Sequence, residues 1–326
     1  MKPAFSVIFL TTLIGAAQGL LLALFSTELL GLWGLLPASA QADFYIVGAL
    51  LAVVLAVLGL GSSFLHLGRP ERAWRSAAMW RTSWLSREVI ALPAFMAATF
   101  LYGLAHYGAT NPTLLPQGVL LGESVLLVLG GVAGVLALAL FVCTAMIYAC
   151  LPFLREWHSP LTVINNTVLG SASGFLLAAS LAGYYAAELI PFLCASALGL
   201  TLSGWLFRGW SLWRNQRLRP KSTIQTAIGI KHPQIVQKSA GFLGGSFNTR
   251  EFFHGQSATL LRAVKYGFVI LSFVVPTVLM ITSLRTQTYW LLPLSFGVQY
   301  VGLLMERWYF FAQANHPQNH YYQAIR

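Results

Sequence analysis

Two short stretches of the sequence concentrate the residues that could carry out chemistry. The first, Ser62–Trp74, contains His66, and the second, Thr82–Glu88, ends in the carboxylate of Glu88. An imidazole, whose ordinary pKa is about 6.5, can accept or release a proton near neutral pH. A carboxylate beside it can relay that proton to water. Such a pair next to lipid suits a quinone, because two-electron quinone chemistry needs a proton donor or acceptor at each ring oxygen.

The same stretches also have a purely structural interpretation. Arg69, Arg72 and Arg75 could simply retain a short loop on the cytoplasmic side of a membrane. Ion pairs within that loop could join two helices. The spacing of the residues alone leaves both interpretations open.

The composition indicates which elements must position these residues. Of the 326 residues, 57% are hydrophobic and only 9% are charged, whereas soluble proteins carry about 25% charged residues. A chain embedded in a bilayer needs charges mainly at the ends of its helices. We therefore predict an all-α, polytopic membrane protein with no large soluble domain, and we exclude disordered, collagen-like and disulfide-rich proteins.

Eight apolar runs are long enough to cross about 30 Å of hydrocarbon, which takes about 20 helical residues. They lie near residues 5–25, 44–65, 88–107, 119–151, 161–183, 189–207, 263–284 and 289–311. The fourth is over-long, so it must tilt, kink near Gly130 and Gly131, or extend into water. We predict one membrane domain over residues 1–326, with a cytoplasmic loop at 208–262.

Two small-residue patterns indicate close helix packing. They are Gly130-x-x-x-Gly134 and Gly170-x-x-x-Gly174, which allow two helix backbones to approach each other. A dimerisation face would use the same pattern. Packing inside the bundle is the favoured interpretation, because a polytopic protein needs such contacts in any case.

The basic residues predict the orientation of the spans. Of the 20 lysines and arginines, only Arg285 falls on one side of the predicted topology, and all the others fall on the opposite side. Since short positive loops stay in the cytoplasm, both termini are predicted to be cytoplasmic. The ten tryptophans lie at this basic side as well, except Trp33 and Trp290. A signal peptide cleaved near Ala38–Ala40 is the competing interpretation of the N-terminal run.

The loop 208–262 is predicted to lie on a partner protein. It contains Pro220, Pro233 and several glycines, and a segment of this length and polarity is too small to build a core of its own. Arg250 and His254 are the candidate docking contacts.

Four motifs resemble the membrane-anchor subunits of dimethyl sulfoxide reductase-type molybdoenzymes. They are L-H-L-G-x-P-x-R-A at Leu65–Ala73, S-W-L-S-R-E at Ser83–Glu88, the stretch Gly241–His254, and the stretch Glu306–Asn319. The resemblance covers the whole chain, and eight spans agree with the architecture of that family. It also implies a location in the bacterial inner membrane.

The resemblance implies a subunit that binds menaquinone or ubiquinone and exchanges electrons with an iron–sulfur subunit, which serves a molybdopterin catalytic subunit. The quinone-site histidine of the family maps onto His66, its arginine onto Arg72 and its carboxylate onto Glu88. Arg69 and Arg87 either contact the quinone or hold the topology. Because the motifs lie on the predicted cytoplasmic side, we slightly favour the sulfite dehydrogenase branch over sulfoxide reduction.

The sequence argues against other cofactors and partners. The three cysteines, Cys143, Cys150 and Cys194, form no C-x-x-C pair, so any iron–sulfur cluster is expected on a partner subunit. No histidine falls at the centre of a predicted span, and we therefore expect no haem and no metal site. Membrane topology explains the net charge of +11 without nucleic acid and leaves anionic lipid as a further partner.

The competing function is transport of a small solute. Transporters usually show inverted repeats, or polar and broken-helix segments near the middle of the membrane. In this sequence the middles of the spans are almost uncharged and the polar motifs gather at one interface. That distribution favours a redox anchor.

Overall fold

Helices make up all the regular structure in the computed structural model, which describes residues 1–36, 41–65, 67–111, 122–219, 222–236, 238 and 255–320. The α-helices are α1 (Phe5–Leu32), α2 (Ala42–Phe64), α3 (Trp84–Thr110), α4 (Glu123–Ala149), α5 (Pro160–Tyr185), α6 (Ile190–Gln216), α7 (Ile224–Ile228), α8 (Ala258–Val269), α9 (Val275–Thr286) and α10 (Leu291–Ala312). Three 3₁₀ helices cover Pro70–Met79, Ala187–Leu189 and Pro317–His320. A π-helical turn at Ile270–Val274 joins α8 to α9.

Within these ranges, seven helices are long and apolar enough to cross a membrane. They are α1 to α6 and the continuous rod Ala258–Thr286, which contains α8 and α9. The predicted all-α, polytopic membrane fold is therefore confirmed. The eighth predicted span corresponds to α10, which has 22 residues but is less apolar because it includes Gln299, Glu306 and Arg307. These three side chains are buried, since α10 packs against α1, α5, α8 and α9.

Two helix boundaries differ from the predicted spans in ways that affect the candidate site. Helix α3 begins at Trp84, one turn before Glu88, because the Ser83 hydroxyl accepts a hydrogen bond from the backbone N–H of Ser86 at 3.3 Å. This is the usual way in which a serine caps a helix. Helix α6 continues beyond Phe207 to Gln216. Arg208 is therefore part of a membrane helix, and the assignment of this residue to the loop 208–262 was wrong.

The central helix of the bundle is α1, which packs against α2, α4, α5 and α10. Its side chains Leu20, Leu21 and Leu24 are completely buried, and the main hydrophobic core forms around them. An extended apolar run at the start of the chain therefore becomes the most enclosed element of the fold.

The contact between α1 and α5 requires glycine on both helices. A Cβ atom placed on Gly174 would lie 2.1 Å from the carbonyl carbon of Gly19, and one placed on Gly19 would lie 2.4 Å from the carbonyl oxygen of Gly170. In the same way, Gly130 of α4 makes room for the ring of Phe25. The interpretation of these glycines as internal packing positions is confirmed.

We expect Gly174→Ala to destabilise the bundle by about 1–3 kcal/mol or more, because the new methyl group would meet backbone atoms that cannot rotate away. Gly199→Ala is the matched control, since a Cβ on this helical glycine meets no atom within 4 Å. Thermal unfolding of the purified protein in detergent measures the difference. Equal unfolding temperatures for the two variants would contradict the proposed α1–α5 contact.

Candidate functional site

Buried polar side chains gather at the end of the bundle where α3 and α5 begin and where α4, α6 and α10 end. We call this the basic end, because it is the side that carries most of the lysines and arginines. Its buried members include Glu88, Thr144, Asn166, Arg208, Glu306 and Arg307. The residues predicted to contact a quinone belong to the same end.

Glu88 lies one turn into α3 and is buried against α4. Its Oε1 atom accepts a hydrogen bond from the hydroxyl of Thr144 at 2.6 Å, and its charge acts on the nearby Cys143 and Tyr148 side chains. Among the described residues, no lysine, arginine or histidine forms an ion pair with Glu88. An ionisable side chain inside a membrane bundle is costly, and such a residue usually marks a functional site.

The segment that precedes α3 exposes its arginines. Arg69 and Arg72 are both exposed, and the Nε atom of Arg72 lies 3.8 Å from Oε1 of Glu71. More than half of each of these two side chains is exposed, so this pair is worth at most about 1 kcal/mol. Arg69 and Arg72 are therefore accessible to a ligand or a partner.

Arg87 has a different environment, because it fastens the start of α3 to the preceding segment. Its Nε donates a hydrogen bond to the carbonyl of Trp80 at 2.9 Å, and its Nη2 donates to the carbonyl of Arg81 at 2.8 Å. The guanidinium also lies over the Trp84 ring, 4.2 Å from its centre, which is a cation–π distance. These contacts support the structural role that the sequence left open for this residue.

The structure describes four of the predicted site residues, and all four lie within residues 69–88 at the basic end. These are Arg69, Arg72, Arg87 and Glu88. The predicted histidine His66 and the predicted docking contacts Arg250 and His254 lie outside the described residues.

The sequence did not predict the buried ion pair between α6 and α10. The Nε atom of Arg208 lies 2.7 Å from Oε1 of Glu306, with side chains only 2% and 4% exposed. The next residue, Arg307, donates through Nη2 to the side-chain oxygen of Asn166 at 2.7 Å. Asn166 in turn donates to the carbonyl of Phe141 at 3.3 Å. These contacts connect α4, α5, α6 and α10 at the basic end.

Part of this polar cluster lacks hydrogen-bond partners within the described residues. The Nη2 atom of Arg208 and the Nε atom of Arg307 are buried and make no hydrogen bond to any of them. A cavity of about 10 Å³ borders Thr12, Asn166 and Arg307, which is the space that one water molecule needs. The cluster can therefore hold a water molecule but not a larger ligand.

A second buried polar cluster occupies the opposite end of the bundle. The Nε2 atom of His106 lies 3.3 Å from Oε1 of Glu28, and the hydroxyl of Tyr102 donates to the other oxygen of Glu28 at 2.7 Å. The ring of Tyr45 stacks on His106 with 4.5 Å between the ring centres. The sequence placed Glu28 and His106 on the same face, but it gave no signal that they form a pair.

The two polar ends are separated along α3 by apolar residues. The buried positions between Glu88 and Thr99 on this helix are Leu92, Phe95 and Ala98. The stretch from Glu88 to Thr99 spans roughly 16 Å at 1.5 Å per helical residue. Within the described part of the chain, no group of three His, Cys, Asp or Glu side chains is arranged to hold a metal ion.

Comparison with known proteins gives two matches that cover nearly the whole chain. The family model described as DMSO reductase anchor subunit (DmsC) matches residues 1–312. A protein of Allochromatium vinosum that is named as one of the subunits of sulfite dehydrogenase is 54% identical over 325 residues, which is 100% of both chains.

We expect Arg208→Gln to destabilise the protein by about 3–5 kcal/mol, because it leaves the Glu306 carboxylate buried without its counter-charge. Arg72→Gln is the matched control, and it should change stability by less than about 1 kcal/mol because its ion pair is exposed. Unfolding in detergent, followed by circular dichroism, measures both variants. Similar stabilities for the two would show that the Arg208–Glu306 pair does not stabilise the bundle.

Proposed function

Because the chain belongs to the DMSO reductase anchor subunit (DmsC) family, we propose that it binds a quinone and exchanges electrons with the iron–sulfur subunit of a molybdopterin oxidoreductase. Glu88 is the observation that supports this function most strongly. It is a buried carboxylate at the basic end, and no described residue provides it with a counter-charge. It also directly follows Arg87, which fixes the start of α3.

A bound menaquinone or ubiquinone would supply two-electron chemistry in which each ring oxygen gains or loses one proton. In our proposal Glu88 exchanges one of these protons, and Thr144 orients the carboxylate by donating its hydroxyl hydrogen to Oε1. Arg69 and Arg72 are exposed at the same end and would stabilise negative charge on a ring oxygen. His66 is proposed as the second proton-exchanging group on its sequence pattern alone.

The relative from Allochromatium vinosum, a sulfite dehydrogenase subunit, favours sulfite as the electron source. The catalytic partner would convert sulfite and water into sulfate, two protons and two electrons. The electrons would pass through the iron–sulfur subunit to the quinone, which takes up two protons to form the quinol. Sulfoxide reduction would use the same anchor with electrons flowing in the opposite direction.

We propose that the quinone is the only redox group in contact with this chain. The imidazole of His106 is enclosed by Glu28, Tyr45 and Tyr102, which leaves no space for a haem iron at that nitrogen. The iron–sulfur clusters and the molybdopterin would belong to the partner subunits. The complex would lie in the bacterial inner membrane with both termini of this chain in the cytoplasm.

Glu88→Gln tests the site, because it keeps the shape of the side chain but removes its ability to ionise. We expect sulfite-dependent quinone reduction to fall by about 10²–10⁴-fold, the usual contribution of a general acid or base, while sulfite-dependent reduction of an artificial dye stays unchanged. Glu71→Gln is the matched control on the exposed side of the same region, and both activities should be preserved. The two activities are measured on the same membranes.

His66→Ala in the same assay should also lower quinone reduction selectively. Equal losses of quinone and dye activity would mean that Glu88 or His66 maintains the structure of the complex instead. Quinol-driven reduction of dimethyl sulfoxide without sulfite oxidation would reverse the direction of electron flow. Solute uptake into liposomes by a preparation that lacks quinone and partner subunits would favour the transporter.

Fusions to alkaline phosphatase test the topology. A fusion after Arg326 should be inactive, because the basic end is expected to face the cytoplasm. A fusion after Gln287, in the turn next to Arg285, is the control and should be active. The reverse pattern would contradict the proposed orientation.

A further inference from the structure

The 3₁₀ helix Pro70–Met79, with the turn that follows it to Arg81, forms an ordered surface without a core of its own. No residue of Pro70–Met79 is buried, and Trp74, Met79 and Trp80 are 70%, 63% and 53% exposed. We call residues 70–81 the docking surface. Contiguous exposed apolar side chains of this size usually mark an interaction site.

The docking surface combines tryptophan with arginine. The guanidinium of Arg75 lies 5.5 Å from the centre of the Trp74 ring, and that of Arg81 lies 5.3 Å from the Trp80 ring. Tryptophan and arginine are the residue types most enriched among those that dominate protein–protein binding energy. Glu71 is the only acidic residue in this stretch, so the surface is strongly basic and fits an acidic partner.

The docking surface is held in place before any partner arrives. Arg87 bonds the backbone carbonyls of Trp80 and Arg81 to the start of α3. A surface that is already ordered loses less conformational entropy on binding. Since Arg87 and Glu88 are adjacent in α3, the docking surface is also fixed relative to the buried carboxylate.

We propose that the iron–sulfur subunit docks on residues 70–81 through an acidic surface with an apolar centre. This inference rests on the proposed function, in which electrons pass between a quinone near Glu88 and a cluster on that subunit. The cluster must come close to Glu88, and residues 70–81 are the exposed part of the chain that is fastened beside it. Anionic lipid is the other occupant that a basic, tryptophan-rich surface could attract, and the experiment below distinguishes the two.

Photo-crosslinking in the intact complex tests the contact directly. A benzophenone amino acid replaces Trp74 in one variant and Trp290 in the control variant, which is 64% exposed at the opposite end. We expect the probe at position 74, but not at position 290, to crosslink to the iron–sulfur subunit. Crosslinks at position 74 only to phospholipid or only to the catalytic subunit, or no crosslink at all, would overturn the proposal.

A charge-reversal experiment separates docking from quinone binding. The double variant Arg75→Glu, Arg81→Glu should lower recovery of the iron–sulfur subunit with the anchor by about tenfold or more, because like charges would then face each other across the interface. The double variant Arg75→Lys, Arg81→Lys is the matched control and should retain the subunit.

Quinone extracted from the purified anchor provides the independent readout. Unchanged quinone content in the charge-reversed anchor, together with loss of the iron–sulfur subunit, would support docking on this surface. Full recovery of the iron–sulfur subunit with that variant would refute it. Absence of quinone from the wild-type complex would contradict the proposed function while leaving the crosslinking result valid as a test of docking.

Discussion

The buried ion pair between Arg208 and Glu306 is the interaction on which the arrangement of the basic end depends. A charge inside an apolar bundle is tolerated only where another helix supplies an opposite charge or hydrogen bonds. Arg208 and Glu306 meet this condition for each other at 2.7 Å, and Arg307 meets it through Asn166. Helix α10, the least apolar of the predicted spans, is thereby held against α5 and α6. The same arrangement leaves Glu88 as the buried carboxylate of this end that has no counter-charge among the described residues.

The arginines of the basic end divide into three physical roles. Arg208 is buried in an ion pair, and Arg87 is bonded to backbone carbonyls and shapes the start of α3. Arg69 and Arg72 are exposed and accessible to a ligand or partner. A count of positive charges predicts the orientation of the chain from all of them together. Only their individual contacts show which could take part in binding.

The sequence predicted the features that depend on composition along the chain. Apolar runs predicted the membrane helices, and glycine spacing predicted the close approach of α5 to another helix. Contacts between helices could not be predicted in this way, because they depend on how each helix is rotated in the bundle. The Thr144 hydroxyl on Glu88 and the carboxylate of Glu28 beside His106 are two such contacts. Arg208 was misassigned for the same reason, since a charge that follows an apolar run indicates a helix end unless its buried partner is known.

The apolar interior of α3 has a consequence for energy conservation. Leu92 and Phe95 separate Glu88 from the Glu28–His106 cluster and leave no polar side chain on the buried face between Glu88 and Thr99. Under the proposed function, electrons and protons would then both reach the quinone from the basic end. Such a reaction is electroneutral, because no net charge crosses the bilayer. The free energy of substrate oxidation would be stored in the reduced quinone pool, and other enzymes of the membrane would have to convert it into a membrane potential.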